Sequence, residues 1–170
     1  MHKKLFSDQE LSKIANPKDS SDMAGKLSEV MGDRGFYEGE FRLHRPWGLE
    51  LKIREDLISV FVNSFFEDGY LPPIIIEKPT GPRILAITNG KELPCQDNDN
   101  QHAFLRVLSG GLQVQKVVGE ENEEITMADV GELIQIPQNV RKSLVGVAKW
   151  SLVAQILARP DYFAGGGEKD

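Results

Sequence analysis

The chain has 170 residues, 40% of them apolar, which suits the core of one ordinary domain. Its 26 acidic residues outnumber 20 Lys and Arg for a formal charge of −6, which argues against a nucleic-acid footprint and against an anionic membrane surface. The longest apolar runs, such as 57–62 and 72–76, are far shorter than the roughly 20 residues of a spanning helix. The basic N-terminus has no apolar segment behind it, and Cys95 is the single cysteine, so neither a secretory signal nor an intramolecular disulfide is expected. A cytoplasmic protein is the expectation.

Residues 7–31 carry helical signals. Ser7 and Glu10 have capping-box spacing, Leu11 and Ile14 share a face, and Pro17 disfavours helix at Asn16. A second short helix is expected from about Asp22, with Met23, Leu27 and Val30 on one side and a stop at Gly32. From Gly35 the pattern turns to β. An imperfect alternation covers 36–45, Pro46-Trp47-Gly48 breaks it, and Leu49, Leu51 and Ile53 resume it. Residues 58–66 and 74–76 continue the β reading, followed by strands at 83–88, 103–108, 112–118, 133–136, 143–147 and 150–157. Turns are expected at 80–82, 89–90, 110–111, 119–124 and 129–131. Many short strands without intervening helices predict an antiparallel sandwich or barrel.

The stretch from Gly90 to Gly110 then becomes specific. Gly90 is followed by five residues, Gln96-Asp97-Asn98, four residues to Ala103, and six more to Gly110. Downstream, Gly131 is followed by five residues, Pro137-Gln138-Asn139, then Lys142 and Gly146 at the spacing of a second motif. In these glycines and the proline the chain resembles the cupin superfamily, over about 90–157. The resemblance implies an all-β, cupin-like antiparallel β-barrel (a double-stranded β-helix or jelly roll) with short N-terminal helices. The expected division is 1–34 as a helical extension, 35–160 as barrel and 161–170 as a flexible tail. Trp47, within a stretch that is similar to sensory cupin domains of arabinose-regulator type, is expected to close one end of the barrel.

A cupin holds its metal with three histidines and a glutamate, and the matching positions here are Gln96, Asn98, Ala103 and Lys142. Amides are weak ligands, alanine is none, and a protonated lysine repels a cation, so no metal and no cofactor are expected. The same absence disfavours the thiol dioxygenases that residues 101–112 resemble. His102 is expected on the outer face, because Ala103, Leu105 and Val107 make the better lining. Cys95 has no base placed beside it and reads as a small apolar residue rather than a nucleophile. The acidic and amide runs at 97–100 and 120–124 lack the pattern of a calcium loop and read as solvated turns.

Three functions stay open. One is a metal-free binding or sensing module, with Gln96, Asn98 and Lys142 holding a small polar or anionic ligand. Another is a metal-independent isomerase or lyase using Lys142 as acid or base. The third is a structural or regulatory protein with a filled barrel. The resemblance further implies a homodimer.

Overall fold

The computed structural model describes residues 5–36, 42–66, 79–95, 102–118, 122–137 and 142–158. The strand expected at 74–76, the residues Gln96 and Asn98, and the tail at 161–170 lie outside the described residues. Helices α1 (Asp8–Lys13) and α2 (Ser20–Asp33) open the chain. The Ser7 hydroxyl accepts from Glu10 N at 3.0 Å while the Glu10 carboxylate accepts from Ser7 N at 2.8 Å, completing the capping box. Asp19 caps α2 in the same way, accepting from Asp22 N. Helix α2 buries Met23, Ala24, Leu27, Val30 and Met31, the stripe that a 3.6-residue period dictates.

Ten strands follow in chain order: β1 (Arg42–Arg45), β2 (Gly48–Lys52), β3 (Pro79–Thr88), β4 (Glu92–Cys95), β5 (His102–Ser109), β6 (Leu112–Val118), β7 (Asn122–Ala128), β8 (Leu133–Ile136), β9 (Lys142–Gly146) and β10 (Trp150–Ala158). They form two antiparallel sheets, ordered β1-β2-β3-β10-β5-β8 and β4-β9-β6-β7. From β3 onward the order β3-β10-β5-β8 against β4-β9-β6-β7 is the interleaving of a double-sheet jelly roll, the cupin type of architecture. The hairpin of β1 and β2 continues the first sheet past β3.

Alternation divides the first sheet between two interiors. On one face Leu85, Ile87, Ala103, Leu105, Val107, Ile134 and Val153 pack with Leu112, Val114, Ala128 and Leu144 of the second sheet. On the other, Ile84, Ala86, Phe104, Leu152, Ala154 and Ile156 pack under the helices with Phe6, Phe36, Phe61, Phe65 and Phe66. The rings meet edge to face, Phe61 and Phe65 at 5.1 Å between centroids and Phe36 and Phe61 at 5.6 Å. Arg34 clasps this layer. Its guanidinium donates to both Glu10 oxygens at 2.7 and 2.8 Å and to Leu5 O at 2.7 Å, and lies 5.0 Å from the Phe65 ring centroid.

Several elements differ from the sequence expectation. Residues 58–65 form helix α3 (Ile58–Phe65), entered through a 3₁₀ turn at Glu55–Leu57, not a strand. The β-branched residues favour a strand, but Ile58, Phe61, Val62 and Phe65 recur at helical spacing, and α3 packs on β3. Residues 80–82 lie inside β3, where Gly81 (φ 60°) sits opposite a register shift in β10, rather than forming a turn. Of the turn expected at 119–124, residues 122–124 belong to strand β7, and 119–121 lie outside the described residues. Strand β4, the first strand expected after Gly90, contains Pro94; an edge strand tolerates the missing N–H, and β4 is outermost in its sheet among the described residues. No helix among the described residues is long and apolar enough to cross a membrane.

The motif glycines Gly90, Gly110 and Gly131 all have positive φ, as tight corners require. At Gly110 (φ 91°) a Cβ would also come within 2.7 Å of Trp150 O and 2.9 Å of Ser151 Cα. Gly110→Ala is therefore expected to destabilise the protein by about 1–3 kcal/mol or more, read as a lower urea midpoint. Arg34 holds the Glu10 carboxyl down from 4.5 to about 2, chiefly through their hydrogen bonds. Because the folded-state value lies below the unfolded one, this stabilisation is present above pH 4.5 and is lost as pH falls towards 2. Glu10→Gln is expected to cost about 1–3 kcal/mol at neutral pH, with the gap to the parent protein closing across that window in denaturant titrations.

Candidate functional site

Of the metal-ligand positions of the two motifs, the structure describes Ala103, on β5 of the first sheet, and Lys142, on β9 of the second. Ala103, near the start of β5, is buried and stands opposite Leu157 of β10 and Ile136 of β8. Lys142 begins β9 opposite Lys116 of β6, and Lys116 is opposite Glu124 of β7. By alternation this charged row shares the face of Leu144 and Val114, and so ends the aliphatic interior. The Lys142 ammonium donates to Gln135 O at 2.9 Å. Gln135 belongs to β8 in the other sheet, so the side chain reaches across from one sheet to the other. Of the three expected binding residues, Lys142 has a described position; Gln96 and Asn98 do not.

A metal of the cupin type does not fit the described residues. Ala103 presents a methyl group among aliphatic neighbours where a carboxylate would be needed, and the Lys142 ammonium offers no lone pair. His102 shares the parity of Phe104, which packs under the helices, and not that of Ala103. Its desolvation lowers the imidazole pKa below the ordinary value, which favours the neutral ring at neutral pH. Among the described residues no three His, Cys, Asp or Glu side chains are grouped to hold a metal ion.

The space between the sheets is occupied by Leu, Ile, Val and Ala side chains. Ser151 also has the barrel-side parity and is fully buried, but its hydroxyl donates to Gly111 O at 2.7 Å. Trp47 packs, partly buried, against this same cluster.

Two buried charges were not singled out from the sequence. Glu50 is 3% exposed on the barrel-side parity of β2; it accepts from Arg45 Nε at 3.2 Å and from Arg83 Nη1. Arg106, 1% exposed, lies on the helix-covered side between Ala154 and Leu133 in register. In the linear pattern Glu50 reads as the solvent half of an alternating strand. Only the covering of both sheet faces turns that half inward.

No family model matches the sequence, and no curated protein matches it. Solved structures are similar to it, among them one described as a cupin domain. Drosophila melanogaster CENP-C bound to CAL1 is 24% identical over 45% of this chain and 60% of that chain, with a TM-score of 0.41. The Drosophila melanogaster CENP-C cupin domain is 25% identical over 46% of this chain and 55% of that chain, with a TM-score of 0.38. The plu4264 protein of Photorhabdus luminescens is 11% identical over 75% of this chain and 88% of that chain, with a TM-score of 0.48. The chain thus spans less than two thirds of the length of those two CENP-C structures.

The chemistry at Ala103 and Lys142 makes a direct expectation. Protein purified without chelator should carry no stoichiometric iron, nickel, manganese or zinc by elemental analysis, and EDTA should leave its melting temperature unchanged. A metal at one equivalent would overturn the reading of these positions.

Proposed function

We propose that this protein is a non-catalytic, homo-oligomeric jelly-roll module of the cytoplasm, with a filled barrel and its work done on its surface. The observation that carries this reading is the edge strand β7. It is outermost in its sheet among the described residues, and Ile125 and Met127 point outward at 55% and 57% exposure. Around them, Gln113, Gln115 and Val145 add an uncharged strip on the same outer face. An apolar, unpaired edge is a template for another strand, and most proteins blunt it unless it is used.

A second copy of this chain fits that edge by symmetry. Antiparallel self-pairing centred on Thr126 sets Ile125 of one copy against Met127 of the other and Glu124 against Ala128, with Glu123 opposite Asp129 just past the end of the strand. The aliphatic filling between the sheets supports the same reading, since it supplies packing rather than polar groups for chemistry. A second reading draws on Lys142: its ammonium in the terminal row would contact a small anionic ligand held with Gln96 and Asn98 at the barrel mouth.

Sedimentation velocity over a concentration series tests the assembly. The parent chain should sediment as a dimer, and Ile125→Lys with Met127→Lys should raise the dissociation constant at least about tenfold, roughly 1.4 kcal/mol, with an unchanged circular dichroism spectrum. A monomer at every concentration, or a dimer indifferent to the double substitution, would sink the proposal.

A further inference from the structure

A second surface feature lies away from β7 and shares no residue with it. Pro17 ends the first helical run, and the chain from Ile14 to Asp19 bends before α2 starts. This α1–α2 turn stands over the β5–β6 corner at Gly110 and the β9–β10 turn at Ala148-Lys149, leaving a cleft of about 370 Å³. That volume falls within the range of small-molecule sites.

We propose that this cleft binds a small monocarboxylate with an aromatic or aliphatic body, its carboxylate paired with Lys149 and its body laid against Trp150. The walls are apolar: Ile14, Met23 and Leu152 are buried behind the cleft, and Trp150 is half-buried at its side. Polar groups are few and lie with Lys149 at Asn16 and Ser109. Lys149 is the sole ionisable residue lining the cleft among the described residues, in a chain whose formal charge is −6.

Those features select the ligand class. One exposed ammonium beside an apolar wall complements one negative charge on an apolar body, and it repels an amine. A phosphate dianion would need several donors aimed at one point, and the cleft lining supplies a single cation. Two of the basic side chains near the helices are committed elsewhere, Lys13 to Asp33 at 2.9 Å and Arg34 to Glu10. The indole face gives the body of the ligand a flat apolar contact at low entropic cost.

The test uses the full chain and 3-phenylpropionate, with 3-phenylpropanol and 3-phenylpropylamine as isosteres of different charge. Isothermal calorimetry should show saturable one-site binding of the carboxylate, with the alcohol and amine at least about tenfold weaker. Lys149→Gln should weaken the carboxylate about tenfold or more, and Lys149→Arg should retain it. The chain has two tryptophans, so the ligand should shift the indole N–H resonance of Trp150 and leave that of Trp47 in place. The proposal is overturned by an absence of saturable carboxylate binding to the parent chain, by equal binding to Lys149→Gln, by equal binding of the amine, or by a response at Trp47 instead of Trp150. Lys149 is exposed, so its substitution leaves the fold in place, which an unchanged melting temperature without ligand verifies.

Discussion

The central strands of the six-stranded sheet are buried on both faces, and the other parts of the molecule are arranged by that constraint. One face meets the second sheet through aliphatic side chains; the other meets α2, α3 and a cluster of phenylalanines. A sheet covered on both sides cannot alternate apolar with polar, so the second half of β3 and most of β5 and β10 are nearly continuous apolar runs. The helices are short and would be marginal alone; the sheet surface gives their apolar stripes somewhere to go. Arg34 then ties the layer together, joining the first helix, the end of the second and two aromatic rings through a single planar group.

Burial on both faces also moves the functional question outward. The interior between the sheets contains aliphatic packing where a catalytic cupin would present ligands, and Ala103 stands in that packing. Charge reappears at the row of Lys142, Lys116 and Glu124 and under the overhang of β2, where Glu50 is satisfied by Arg45 and Arg83. A buried carboxylate with two guanidinium partners specifies how the hairpin of β1 and β2 sits on β3 more than it stabilises the fold, because desolvation offsets much of the attraction. Among the large apolar residues left exposed, Ile125 and Met127 on the outer face of β7 are the two most exposed, and the cleft beside Trp150 is a second apolar surface.

Much of the barrel was legible in linear form. The glycine corners at 90, 110 and 131 have the positive φ that their spacing suggested, and the strands at 103–108, 112–118, 133–136, 143–147 and 150–157 stand where alternation placed them, within a residue or two at most ends. The inward parity of Ala103, Leu105 and Val107 also followed from composition alone. Helix α3 was hidden because Ile58, Val60 and Val62 signal a strand locally while the 58-61-62-65 spacing signals a helix; packing against β3 decides between them. Strand β7 was hidden for a different reason: an edge strand with glutamates and an exposed face carries the composition of a turn.

The sequence by itself determined the jelly-roll frame and the residue types at the motif positions, because both are matters of residue type at a position: glycine where φ is positive, alanine at 103 and lysine at 142. The tertiary structure decided which half of each alternating strand is solvent and which is a second core. Glu50 and Arg106 show the difference, since each occupies a position that reads as outward and each is buried. Burial depends on what a distant segment lays over a face, and no local period contains that information. The cleft at Lys149 has the same origin: α1, β5 and β10 are far apart in the chain, and only folding brings Ile14, Ser109 and Trp150 to one wall.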